Sequence, residues 1–477
     1  MTGTLRPLNV AGLARRASAV SQHRPARSST ALGTVRVRVG VFVLTLFMLS
    51  LAQPAIAQTL DQAMSSAISR NCTALGAGTG HSVGSLTALG FGPNLAALCA
   101  DLPSGLLGPG FTSNGGLAGG SITGQTGIAV TDDERRLLLR MKERRDRAQN
   151  PSGAASADTD RGFGVFVSGE FERFDKDVTQ FEPGYTSDTW SGTVAVDYLF
   201  TSTVLAGAAF NYGNTHGTFD RRGGSFDTDS FGGLLYLSVF PARNLFIDAV
   251  AGYAHKEYSV NRQISFTFNR IRDFPATDPR SLVAVNGKAL SDADGDEYRA
   301  GINVGYDFVF GILTVGPRLG VNYKHLDIGR FAERGRGATT CFTNAASTAV
   351  CTSSNASGLE LAYDRQQQDF LRSVAGIYGS LAFSTAVGVL LPQTTLEYVH
   401  EFLDDQRTIR FRFVEDNAGR TKFGFQTDPP DRNYFLVSVG LALQLPRGIA
   451  PFINYRGMFG YSNERSHTVT AGVRFAF

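Results

Sequence analysis

Beyond its first sixty residues the chain has no apolar run of about 18 residues, which excludes a membrane-spanning helix there. Its 477 residues include one tryptophan, and a net charge of +3 is too slight to argue for a nucleic-acid partner. Four cysteines, Cys72, Cys99, Cys341 and Cys351, stand at no metal-ligand spacing. The first sixty residues lack Asp and Glu altogether. There an Arg-rich stretch leads into VFVLTLFMLSLA (Val41 to Ala52) and then QPAIAQ, with Ala55 and Ala57 framing a cleavage site. This order predicts a signal peptide over residues 1–57 and export. In an exported chain an even cysteine count reads as disulfides, and sequential pairing, Cys72–Cys99 and Cys341–Cys351, is the simplest of three arrangements.

What the chain has in excess is 54 Gly, 35 Phe and 15 Tyr, a composition suited to close-packed sheets with aromatic edges. Residues 58–130 open on a possible helix, LDQAMSSAISRNC, and continue as Gly/Ser/Leu-rich sequence. This reads as a small disulfide-tied, passenger-like or linker segment. Thr131 and Glu134 then form a capping box, with acids in the first turn and cations later, so residues 131–150 are predicted helical. About eighteen residues at 1.5 Å each span roughly 27 Å, near the thickness of a bilayer core.

From Gly162 the helical pattern gives way to short alternating segments. YRAGINVGYDFVF sets Tyr298, Ala300, Ile302, Val304, Tyr306 and Phe308 against Arg299, Gly301, Asn303, Gly305 and Asp307. Twelve strands are expected, with tiny and long connections in strict alternation; the longest run over 259–295, 326–366 and 403–431. Long loops all at one end argue for an all-β, twelve-stranded antiparallel barrel in an outer membrane, not a soluble sandwich. Mid-strand charges, among them Asp197, Asp248, Arg318, Arg372, Glu397 and Arg474, are expected to face the lumen. Phe200, Phe240, Phe308, Phe310 and Phe383 are expected in the girdle by the short turns. The final strand alternates too: Val469, Ala471, Val473, Phe475 and Phe477 share the lipid face.

GFGVFVSGEFERF, LLPQTTLEYVHEF (Leu390 to Phe402), PFINYRG (Pro451 to Gly457) and TVTAGVRFAF, in that order behind a signal peptide and a helix, resemble the autotransporter β-domain of type V secretion. The resemblance covers residues 162–477. It implies a monomeric barrel whose pore is plugged by helix 131–150, and surface display of a short N-terminal segment. The implied partners are outer-membrane lipid, periplasmic chaperones and a barrel-assembly machinery that reads Val473, Phe475 and Phe477. No cofactor and no nucleic acid are implied. Arg136, Arg140 and Arg144 of the helix would meet Asp197, Asp248 and Glu397. Self-cleaving members cut at an Asn in that helix, but Asn150 precedes Pro151, whose amide lacks the N–H, so cleavage is not expected. Residues 58–130 are short for a passenger, and retention of that segment in the periplasm stays open beside its display. This leaves two alternatives, a surface adhesin or receptor acting through its long loops and a small channel. His216, His255, His325, His400 and His467 are expected to scatter around the barrel, so no enzyme is expected. Asp292, Asp294 and Asp296 read as a solvated acidic loop.

Overall fold

The computed structural model describes Cys72, residues 91–101 and, with short gaps at 180, 270–273, 276–277, 418 and 420–421, residues 162–477. The expected signal peptide, the helix over 131–150 with Arg136, Arg140 and Arg144, and Asn150 lie outside the described residues. Twelve long strands form the wall. They are β1 (Phe163–Lys176), β2 (Tyr185–Thr201), β3 (Val204–Phe219), β4 (Gly224–Ala242), β5 (Leu245–Asn269) and β6 (Leu282–Tyr306), then β7 (Leu313–Ile328), β8 (Gln366–Leu381), β9 (Val389–Glu401), β10 (Asn433–Gln444), β11 (Ile449–Phe459) and β12 (Glu464–Ala476). Each pairs antiparallel with the next, and β12 pairs with β1, so the sheet closes into a twelve-stranded barrel. Closure leaves no unpaired edge in the wall, the condition for strands to cross a bilayer. Phe163 and Phe477 meet at the short-turn end, where the Phe477 N–H donates to the Phe163 carbonyl at 2.9 Å.

The outward face is apolar between two rings. Tyr298, Ile302, Val304, Leu319 and Val321 are exposed, while Arg299 between them is buried. The lower ring, by the short turns, includes Phe163, Phe200, Phe308, Phe310, Phe383 and Phe477. Phe240 does not belong to it: that side chain is buried on the inward face of β4. The upper ring holds Phe171, Trp190, Tyr212, Tyr253, Tyr323 and Tyr398 among its members. On β7 the rings are marked by Leu313 and Tyr323. That interval, tilted by about 45°, matches an apolar band about 25 Å tall.

Above the upper ring the architecture departs from the expected loops. β5 and β6 have 25 residues each, more than twice the roughly 9–11 that cross a membrane. The stretch 259–295 is therefore mostly paired strand, and Asp292, Asp294 and Asp296 stand on β6, not in a loop. The segment 326–366 carries a hairpin, Arg334–Thr343 with Ala349–Ser354, that extends the wall beside β6. Short strands from the two long connections, Phe331–Ala332, Leu361–Tyr363, Thr408–Phe413 and Phe423–Gln426, form a second antiparallel sheet. Residues Pro93–Asp101 form a helix, α1, packed beside it.

Candidate functional site

The site with the clearest construction is the long-loop end of the lumen, where wall, second sheet and α1 share one apolar core. Inward-facing residues of the wall contribute Phe174, Tyr185, Phe226, Tyr258, Leu326 and Leu436. The second sheet supplies Phe331, Leu361, Tyr363, Ile409, Phe411 and Phe413, and α1 supplies Leu95, Ala96 and Cys99. Burial of this aromatic surface makes the second sheet a lid across the barrel mouth. The Phe331 and Tyr363 rings stack at 4.6 Å, and Phe411 meets Phe423 edge-on at 4.5 Å.

One buried ion pair ties lid to wall. Arg262 of β5 donates from Nε to Glu333 Oε1 at 2.8 Å and from Nη2 to Glu333 Oε2 at 2.5 Å. Its Nη2 also donates to the Leu359 carbonyl at 3.0 Å, and Glu333 Oε2 accepts from the Leu361 N–H at 2.8 Å. Burial opposes the guanidinium charge, but the Glu333 carboxylate outweighs it and holds Arg262 above its ordinary value. The fork of an arginine suits this bidentate task.

The helix α1 is held at its N-terminus by the lid. Pro93 opens it, at a position where the missing N–H costs nothing. Glu415 accepts from the Leu95 N–H at 2.6 Å and from Asn94 Nδ2 at 2.7 Å, and its carbonyl accepts from the Gly92 N–H at 2.9 Å. A carboxylate there satisfies orphan donors and complements the helix dipole. Gly358 permits the close approach: its φ is +83°, and a Cβ would lie 2.6 Å from the Leu95 nitrogen. Cys99 is joined to Cys72, which brings one residue of the expected first helix into the same core. Nothing in the expected Gly/Ser-rich linker reading anticipated α1, although Leu95 and Cys99, four apart behind Gly92-Pro93, carry the signal.

Beside the lid, at the rim, Lys176 Nζ lies 3.2 Å from Glu182, 2.8 Å from Asp428 and 3.6 Å from Glu464. These contacts join β1, the β1–β2 connection, the β9–β10 connection and β12. Burial pushes the Glu464 carboxyl up to about 7 against the pull of Lys176. Burial also opposes the Lys176 charge, but the three carboxylates raise it above the ordinary lysine value.

Below the lid the lumen wall is polar, with charges paired across strands. Asp197, Asp248 and Glu397 face inward as expected from alternation. Arg474 lies 3.7 Å from Asp197, Ser238 donates to Asp248, and Arg318 pairs with Asp307 at 3.1 Å. Arg372 donates to Glu401 at 2.8 Å, and Thr470 donates to Glu170 at 2.7 Å. Lower still, on β1 to β5, the inward face turns apolar through Phe166, Leu199, Leu205, Leu234 and Phe246. The second cysteine pair, Cys341 and Cys351, bridges the extending hairpin outside the lumen. Among the described residues no group of three or more His, Cys, Asp or Glu side chains is arranged to hold a metal ion.

The family model of the autotransporter β-domain matches residues 165–352 and 345–456, more than half of the chain. The chain belongs to the autotransporter β-domain family. Its barrel is accordingly an outer-membrane barrel. Similar solved structures include the translocator domain of the autotransporter NalP from Neisseria meningitidis, at 14% identity and a TM-score of 0.47, over 72% of this chain and 98% of that one. The β-domain of the Bordetella autotransporter BrkA follows at 12% identity and 0.41, over 66% and 100%. The transport unit of AIDA-I from Escherichia coli gives 11% and 0.37, over 70% and 97%. No curated protein matches the chain. This autotransporter barrel carries its lid, α1 and rim cluster at the long-loop end.

Proposed function

We propose that this autotransporter barrel anchors its own short N-terminal segment, residues 58–130, at the cell surface, and that the lid holds that segment in place. The observation that carries the reading is topological. Helix α1 packs at the long-loop end through Glu415 and Gly358, whereas β1 begins at Phe163 among the short turns. Residues 102–162 therefore join the two ends of the barrel. Outside the wall lies lipid, which a segment as charged as TDDERRLLLRMKERRDR would not enter. The lumen offers that segment inward carboxylates on one level and the apolar β1–β5 face on another, which suits a helix over 131–150 bearing Arg136, Arg140 and Arg144 beside Leu137 to Leu139. Residues 1–57 would direct export. Periplasmic chaperones and the barrel-assembly machinery would then receive the chain, the latter reading the outward residues Val473, Phe475 and Phe477.

The apolar lid weighs against a small open channel, since water and ions would have to cross the core around Phe411 and Leu361. The test is an epitope inserted near residue 115, in the Gly-rich stretch, with antibody binding measured on intact cells. Surface binding is expected. Binding only after the outer membrane is permeabilised would refute display. A companion measurement compares planar-bilayer conductance of the mature chain with a form lacking residues 58–150. Equal open-channel currents would remove the lumen-crossing helix from the mechanism.

A further inference from the structure

The five histidines are spread around the barrel on β3, β5, β7, β9 and β12, but they share one level and one face. His216, His255, His325, His400 and His467 all stand on the outward face, just beyond the upper aromatic ring. On three successive hairpins the arrangement repeats as a unit of Tyr, His two residues further on, and an Asp or Asn on the neighbouring strand. In β5–β6, Asp296 Oδ1 accepts from Tyr253 Oη at 2.6 Å and faces His255 Nδ1 at 3.1 Å. In β7–β8, Asp369 Oδ1 accepts from Tyr323 Oη at 2.6 Å and faces His325 Nδ1 at 2.8 Å. In β9–β10, Asn433 Oδ1 accepts from Tyr398 Oη at 2.5 Å and faces His400 Nδ1 at 2.7 Å. On β11–β12 the Tyr455 hydroxyl meets His467 Nδ1 at 2.8 Å.

Each Asp or Asn oxygen can only accept, so Nδ1 of His255, His325 and His400 carries a proton. Nε2 is then the nitrogen that changes state: a lone pair on the neutral ring, an N–H donor on the imidazolium. The ring level, immediately beyond the apolar band, is that of lipid headgroups.

We propose that this belt is a pH-dependent binding surface for anionic, phosphate-bearing lipid headgroups. Each strand places one residue at the belt, two positions beyond an outward apolar residue of the band, and Phe402 and Phe459 lie exposed beyond it next to His400 and Gly457. His255, His325, His400 and His467 occupy four positions, Asp188, Asp229, Asp296 and Asp369 four more, and Arg173 one; Asn214, Asn433 and Gly457 complete it. One arginine against four aspartates gives a net charge of −3 with neutral histidines, and four imidazolium charges turn it to +1. The neighbours of each histidine are known from the strand pairing. His255 lies between Asp296 and Phe231, and His325 between Asp369 and Tyr298. His400 lies between Asn433 and Ser373, and His467 between Arg173 and Gly457. Neutral, the belt repels headgroup phosphates and shows them lone pairs. Protonated, it presents N–H donors of the geometry that phosphate oxygens accept.

The measurement is electron spin resonance of the full mature barrel in vesicles, comparing spin-labelled phosphatidylglycerol with spin-labelled phosphatidylcholine at the protein boundary. Between pH about 8 and about 5.5, where imidazoles titrate, selectivity for phosphatidylglycerol should rise at least about fivefold, the change a single added cation gives near an anionic surface. The variant H255Q/H325Q/H400Q/H467Q should show no rise. A second variant, D296N/D369N, moves the belt from −3 to −1 and should raise selectivity for phosphatidylglycerol above wild type at pH about 8, and it decides alone if the first does not yield a heat-modifiable barrel. A wild-type selectivity that ignores pH, a rise that survives the four glutamines, or no gain in D296N/D369N would overturn the proposal.

Discussion

Replacing Glu333 with Ala should release the lid and leave the membrane barrel intact. The carboxylate is 2% exposed and Arg262 1%, so the change strands a guanidinium in an apolar core. It also takes the acceptor from the Leu361 N–H, on the strand at the centre of the lid. Breaking one side of a buried pair costs about 3–5 kcal/mol. That raises the open population of the lid roughly a hundredfold to a few thousandfold. The barrel strands below the upper ring share none of these contacts, because their pairing runs strand to strand around the wall.

Hydrogen exchange in detergent resolves the two parts. The amides of Leu361, Val414 and Thr427, bonded in the lid to Glu333, Glu360 and Arg407, should exchange faster by about that factor. Amides of β1 and β12 should keep their wild-type protection, and heat-modifiable migration should be unchanged. The paired variant R262M/E333L, which removes both charges and refills the volume, should recover most of the lost protection. Lid amides within about threefold of wild type in E333A would refute the latch. So would loss of protection that spreads equally through the barrel.

Four further outcomes follow from the same geometry. Gly358→Ala forces a side chain onto the Leu95 nitrogen at a φ of +83° and should free α1, read as protease cleavage between residues 72 and 101 with the barrel intact. The rim cluster should loosen as pH rises: the Glu464 carboxyl, raised from 4.5 to about 7, keeps its proton folded and loses it unfolded across that interval, so its contribution to rim stability falls between those values; Glu464→Gln should reduce the slope in thermal melts, and the Glu182 carboxyl, also raised by burial, keeps the remainder. Cys341→Ser with Cys351→Ser opens a ring closed between residues ten positions apart and confined to the outer hairpin, so protease sensitivity should appear at residues 334–354 while the barrel melts unchanged. Phe477→Ser, at an exposed outward position beside Phe163, should lower heat-modifiable protein in the outer membrane, and normal levels would remove the assembly role of that residue.

The membrane part of the fold was legible because lipid imposes a simple rule. Apolar residues at alternate positions face out, and YRAGINVGYDFVF obeys it from Tyr298 to Phe308. The part above the bilayer escaped for a physical reason: the phase of the alternation reverses along a single strand. On β6 the apolar positions Tyr298, Ile302 and Val304 face lipid, but Val283, Val285, Ala289 and Ala293, at positions of opposite parity, face the core under the lid. There the outward residues are Asn286, Lys288, Asp292 and Asp294, because that side meets water. A reading that holds one phase sees polar residues where lipid-facing ones should be, and ends the strand. The same reversal hid the histidine belt, which sits where one solvent gives way to the other.

The lid and α1 were harder, since their partners come from distant parts of the chain. Nothing local in GLELAY marks Glu360 and Leu361 as interior, and Arg262 and Glu333 are separated by 71 positions. What does connect them is the shape of the barrel. A twelve-stranded wall whose upper half faces water on both sides must either fill its mouth or leave inward aromatics such as Tyr258 and Phe226 exposed. The two long connections and the disulfide-tied α1 supply that filling. Cys72, Phe91 and α1 are then part of the core that completes the barrel at the long-loop end, which ties their place there to the stability of the mouth.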